Sequence, residues 1–207
     1  MIKEAAKYLG INANERLPLI EHYNKFCLPQ VKKERRYKMG LGDNWCAMFV
    51  TTIANKCGAS AEQFPYEVSV FYQTQIAKSR GLFTKEVSIV QPNDLIIYDW
   101  EGRGVLSHVG FVASVEGANI IALEGNIKNT VGYRTIGKDS RFIAGFIKNP
   151  YARKVEAEQA QNAALDRVQG LARRTLRGEF GNGLERARRL GADYADVQNL
   201  INSGWKG

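Results

Sequence analysis

The sequence predicts an α+β protein followed by a small helical module, and three observations carry that expectation. Helical patterning dominates the chain up to Gly81. From Ser88 to Ile147, short apolar runs separated by turn residues read as strands. After Asn149-Pro150 the composition shifts to Ala, Glu, Gln and Arg with no β signal. Helices first and an antiparallel sheet after them is the layout of an α+β domain.

The elements follow in order. Ile2 to Leu9 and Glu15 to Lys25 read as helices, and the basic loop Lys32-Lys33-Glu34-Arg35-Arg36 comes next. A third helix starts at Cys46 and runs to about Lys56. Phe49, Val50, Ile53 and Ala54 recur at helical spacing as its buried stripe, and Gly58 suits a left-handed cap. A fourth spans Val68 to Ser79 and stops at Gly81. Strands are expected over Leu95–Tyr98, Val105–Ser114, Asn119–Glu124, Val131–Thr135 and Phe142–Ile147. Beyond Pro150, Arg153 to Leu176 begins as a linker or exposed helix. Leu165, Val168, Leu171, Ala172 and Leu176 then make a helical stripe. A glycine-rich turn over Gly178–Gly183 precedes two short helices, Leu184–Leu190 and Asp193–Ile201. The expected organisation is a domain over residues 1–150, a linker over 151–163 and a helical module over 164–207. The module lies near the lower size limit for independent folding.

Composition narrows the function classes. The chain has 207 residues, 44% of them hydrophobic, and a net charge of +8. That length allows one medium domain plus a small one, with enough apolar residues for a packed core. No apolar run is long enough to span a membrane, so membrane insertion is not expected. The start, Met1-Ile2-Lys3-Glu4-Ala5, lacks the apolar core of a secretory signal, which points to synthesis and folding in the cytoplasm. A basic chain can seek nucleic acid, yet neither a helix-turn-helix, a zinc spacing nor a basic aromatic groove is present. Anionic polymers are the remaining partner class. Three cysteines without paired spacing argue against a disulfide framework, and no cofactor or metal is expected.

Two residues sit in settings that suit catalysis. Cys46 stands where the polar turn Gly42-Asp43-Asn44-Trp45 enters an apolar helix, and a thiol in a first helical turn feels the positive end of the dipole, which favours the thiolate. His108, in Ser107-His108-Val109-Gly110, lies in a β-rich run and can take that proton and return it to a leaving amine. Cys27 and Cys57 read as small buried hydrophobes, and His22 as a surface residue of a charged helix. Glu124 and Asn126, two residues apart in Leu123-Glu124-Gly125-Asn126, share one strand face, and either could orient the imidazole. A three-residue loop at Glu116-Gly117-Ala118 would bring Asn126 opposite His108. A two-residue slip would bring Glu124 there instead, and a one-residue slip would ruin the arrangement.

Asp43-Asn44-Trp45-Cys46, Ser107-His108-Val109-Gly110 and Glu124-Gly125-Asn126, in that order, resemble the CHAP family of cysteine, histidine-dependent amidohydrolases and peptidases. The run Asp94-Leu95-Ile96-Ile97-Tyr98 is also similar to the strand that leads toward its histidine. The resemblance implies a papain-like fold with Cys46 as nucleophile, His108 as base, and Glu124 and Asn126 as orienting groups. Many relatives carry glutamine directly before the cysteine, where this chain has Trp45. Asn44 or Asp43 is then the oxyanion candidate, with the backbone N–H of Cys46. Calcium, which some relatives bind, is not supported by Asp43 and Asn44 alone.

The tail is similar to the CW-seven repeat, through Gly181-Asn182-Gly183, Glu185-Arg186, Arg189-Leu190-Gly191, Asp193-Tyr194, Val197-Gln198 and Ile201-Asn202. That resemblance implies a module binding the disaccharide-peptide unit of peptidoglycan, with Arg186, Asp193, Tyr194 and Gln198 as candidate contacts. A single copy would gain from homo-oligomer formation through the tail. Together the two resemblances imply a phage-type endolysin. It would be made in the host cytoplasm, released through a pore, and would then act on peptidoglycan and its anionic wall polymers. A wall-binding protein with a degenerate first domain and a cysteine acyltransferase are the alternatives.

Overall fold

The apolar runs in the middle of the chain pair into one antiparallel sheet, with helices banked on one of its faces. The computed structural model describes residues 1–12 and 14–206. Ahead of the sheet come α1 (Ile2–Ala6), α2 (Leu17–His22), α3 (Cys46–Lys56) and α4 (Val70–Ser79). The strands are β1 (Phe83–Thr84), β2 (Leu95–Tyr98), β3 (His108–Glu116), β4 (Asn119–Ile127), β5 (Thr130–Gly137) and β6 (Ile143–Ile147), ordered β1-β6-β2-β3-β4-β5. This is the α+β class expected from the sequence.

Alternation along the strands divides the sheet's side chains between two cores. Leu95, Ile97, Val109, Phe111 and Leu123 face α3 and join Phe49, Val50 and Ile53 in the main core. Ile96, Tyr98, Val112, Ala122 and Phe146 form a smaller cluster on the other face. β2 is buried at all four positions because both neighbours and both faces cover it. α3 differs from the amphipathic stripe expected of it. Every residue from Cys46 to Ala54 is buried, since helices cover it on the side away from the sheet. Past its last residue, Lys56, the chain turns away at Gly58, whose φ is 87°.

Several boundaries differ from expectation for local reasons. The second helix is α-helical only to His22 and continues as a π-helical turn over Tyr23–Cys27. β3 starts at His108 rather than Val105, because the Asp99 carboxylate accepts the N–H groups of Glu101, Gly102 and Gly104 and curls the preceding segment into a loop. β1 was not expected; two residues are too short to show a period.

The structure divides into two units, Met1–Ala152 and Arg153–Gly207. Residues 151–163, expected as a linker or exposed helix, are helical, within α5 (Pro150–Leu176). The second unit adds α6 (Gly183–Leu190) and α7 (Tyr194–Asn202). Its core is Ala172, Leu190 and Val197, with Val168, Leu171, Phe180, Tyr194 and Trp205 packed around them. The expected stripe on α5 is shorter than predicted, since Leu165 and Leu176 are 49% and 53% exposed.

Candidate active site

Four neighbouring strands each contribute one side chain to a single face: Tyr98, His108, Glu124 and Arg134. Tyr98 lies opposite His108 across β2 and β3, and Arg134 lies opposite Ala122 across β4 and β5, a diagonal neighbour of Glu124. The β3–β4 register arises differently from the expected three-residue loop. Glu116 pairs with Asn119, so the turn is the two residues Gly117-Ala118, with Gly117 at φ 53°. A bulge between Val112 and Ser114 then shifts the register by one, and Phe111 faces Leu123. The shorter turn and the bulge cancel, and the face is preserved.

Continuing that register sets Gly110 opposite Glu124. A Cβ on Gly110 would stand 2.5 Å from Glu124 Cγ, so the bare glycine lets the glutamate side chain lie across it and reach His108 diagonally. Glu124 Oε2 lies 2.9 Å from His108 Nε2. Of the two orienting candidates, the structure brings Glu124 to the imidazole. Asn126, at φ 63°, instead donates its amide to Asn44 Oδ1 at 3.3 Å.

Cys46 opens α3, which approaches β4 closely. A Cβ on Gly125 would meet the Phe49 ring at 2.6 Å. With Nε2 taken by Glu124, Nδ1 is the imidazole nitrogen left for the thiol. Burial disfavours charge on the ring, but hydrogen bonds and charge from Cys46 and Glu124 outweigh it and push the His108 pKa up to about 9. Burial would likewise raise Glu124, yet His108, Tyr98 and Arg134 hold it below its ordinary value. Tyr98 donates its hydroxyl to Glu124 Oε1 at 2.5 Å, and burial and that carboxylate both push its own pKa up.

The other candidates fall into place around this group. The carboxylate of Asp43, one of the two oxyanion candidates, accepts from the Tyr37 hydroxyl and the Gly40 N–H at 2.9 and 2.8 Å, so both of its oxygens are engaged within its own loop. Asn44 is exposed beside Cys46, and its side-chain carbonyl oxygen accepts from Asn126. Trp45 is buried between Arg16 and the edge of Phe49, withdrawn from the site. Burial pushes the Cys27 thiol up to about 12 and also raises Cys57. His22 is not a free surface group; its Nε2 lies 2.7 Å from Asn55 Oδ1, and burial lowers its pKa. Among the described residues no cluster of three or more His, Cys, Asp or Glu could hold a metal ion. No helix among them is long and apolar enough to cross a membrane.

In the second unit the four candidate contacts are engaged within the chain. The Arg186 guanidinium donates to Gly181 O, Gln198 Oε1 and Asn182 Oδ1 at 3.1, 3.2 and 3.0 Å, tying α6 to α7. Gln198 also donates to Asn202. Asp193 occupies the N-cap position of α7, but its carboxylate pairs with Arg167 rather than capping. Tyr194 packs on the small core.

The family model of the CHAP domain matches residues 36–126, and that of the CW_7 repeat matches residues 169–203. The chain carries a CHAP domain and a CW_7 repeat. None of the curated proteins compared with the chain matches it. A CHAP domain implies a peptidoglycan amidase or peptidase, and a CW_7 repeat implies cell-wall binding. The CHAP match spans Cys46, His108, Glu124 and Asn126 and ends there, so β5 and Arg134 lie beyond it. Sequence reasoning passed over Arg134 and the hydroxyl of Tyr98. A cation in an otherwise β-rich run, one hairpin after a glutamate, is the signal that could have found the former.

Proposed function

We propose that this chain is an endolysin-type hydrolase that cuts amide bonds of peptidoglycan through Cys46, leading to lysis of the bacterial host. The observation that carries the reading is the Glu124–His108 hydrogen bond, which orients the imidazole and leaves its other nitrogen for the thiol at the start of α3. His108 takes the thiol proton, and the resulting imidazolium is held by the Glu124 carboxylate. The thiolate attacks the amide carbonyl carbon. The oxyanion accepts hydrogen bonds from the Cys46 backbone N–H and the Asn44 side-chain amide, which Asn126 orients. His108 then protonates the departing amine as the C–N bond breaks. Water, deprotonated by His108, attacks the thioester, releasing a carboxylate and regenerating the thiol. The CW_7 repeat keeps the enzyme on the wall, with Arg186, Asp193, Tyr194 and Gln198 around its contact surface.

Clearing of a wall suspension by Cys46→Ala tests the reading. Activity should fall by about a thousandfold or more, as expected on removing a covalent nucleophile. Clearing at the wild-type rate would reject it. Mass spectrometry of the wild-type digest identifies the bond. Peptide-free glycan with free L-alanine amines marks an amidase, and free bridge termini with peptide still on the glycan mark an endopeptidase.

A further inference from the structure

Glu124 is fully buried and carries more partners than orienting one imidazole requires. Besides His108 and Tyr98, it accepts the Arg134 Nε–H, which stands 3.0 Å from both carboxylate oxygens. The guanidinium is set by packing as well. It lies 4.7 Å above the Trp100 ring, and Trp100 stacks on Tyr98 with centroids 4.5 Å apart and an interplanar angle of 13°. A cation over an aromatic face is attracted to it, so the stack fixes where Nε points. Two cations therefore share one buried carboxylate: the imidazolium at Oε2, and the guanidinium spread across both oxygens.

This arrangement has two chemical consequences. A carboxylate held from three sides cannot swing away from His108 when the ring loses its charge during the cycle. A permanent cation on the same carboxylate also opposes protonation of the ring, because like charges at short range disfavour each other. Without that opposition, Glu124 would hold the imidazolium more firmly, and the ring would give its proton to the departing amine less readily.

We propose that Arg134 is a positioning residue of this active site, locking the Glu124 carboxylate against His108 and moderating its hold on the imidazolium proton. The proposal rests on the Cys46 hydrolase reading above. The groups facing the pair are the hydroxyl of Tyr98 from β2, the thiol of Cys46 from α3 and the guanidinium of Arg134 from β5.

The test compares Arg134→Gln and Arg134→Lys in the full chain. The chain holds only two histidines, so NMR titration reads His108 directly once the His22 signal is assigned with His22→Gln. In Arg134→Gln the His108 titration should move up by about one pH unit, and the alkaline limb of kcat should move with it. kcat at neutral pH should fall by about tenfold with KM little changed, since a group acting only on the reacting proton leaves binding alone. Arg134→Lys restores the charge without the planar fork, so the titration should stay near the wild-type value while kcat remains reduced. An unmoved His108 titration in folded Arg134→Gln would overturn the proposal and leave Arg134 as structural support. Should Arg134→Gln fail to fold, wild-type kcat in Arg134→Lys would overturn it equally. Failure of the hydrolase reading shows separately, as activity retained by Cys46→Ala.

Discussion

At the scale of single residues, the behaviour of this site with pH follows from where His108 and Glu124 hold their protons. Cys46 and Glu124 push the His108 pKa up to about 9 from an ordinary value near 6.5, so its charged form adds stability that is complete below about 6.5. That contribution declines as pH rises toward 9 and is lost above it. Glu124 acts in the opposite sense: its lowered pKa contributes stability above about 4.5 that is lost as the solution becomes acidic. Thermal melting across this range should show a fall in Tm between about pH 6.5 and 9 in the wild type. The fall should be absent in His108→Gln, and its persistence there would assign it to other groups. Activity should decline over the same alkaline interval, because an imidazole without its proton has none to give the departing amine.

At the scale of elements, the site depends on two close approaches that only glycine permits, Gly110 under Glu124 and Gly125 under Phe49. Gly110→Ala places a methyl group 2.5 Å from Glu124 Cγ and 3.2 Å from the Leu123 carbonyl oxygen. The glutamate must then leave the imidazole or the strands must part. We expect a stability loss of about 1–3 kcal/mol, as for overpacked sites, together with loss of most wall-clearing activity. Wild-type activity in Gly110→Ala would mean that Glu124 reaches His108 by another path. This part of the structure also marks how far the sequence was legible. The start of α3 at Cys46 and the span of β2 could be read because periodicity and a polar-to-apolar switch are local signals. The choice between Glu124 and Asn126 could not. The bulge offsets the shorter turn and restores the expected register. The choice turns instead on the bare Gly110 that lets Glu124 reach His108 diagonally, and on the left-handed backbone at Asn126. Arg134 was harder still, since its contact with Glu124 needs the pairing of a second hairpin, itself irregular between Glu124 and Ile127.

At the scale of the whole molecule, the proposed function assigns chemistry and wall attachment to separate cores. The unit Met1–Ala152 contains the two clusters on either side of the sheet, and with them Cys46, His108, Glu124 and Arg134. The unit Arg153–Gly207 has its own small core, built from Ala172, Leu190 and Val197. A net charge of +8 favours encounter with any anionic surface through long-range attraction that salt screens. If this division holds, a fragment ending at Ala152 should melt cooperatively and cleave small soluble muropeptides at close to the full-chain rate. On intact walls the same fragment should be slower by about tenfold or more, because tethering raises local enzyme concentration without touching the reacting bond. Raising salt should slow the full chain on walls while leaving muropeptide cleavage nearly unchanged. Equal rates for fragment and full chain on walls would remove the tail from the reaction. A fragment inactive on muropeptides yet cooperatively folded would instead mean that the second unit contributes to the chemistry itself.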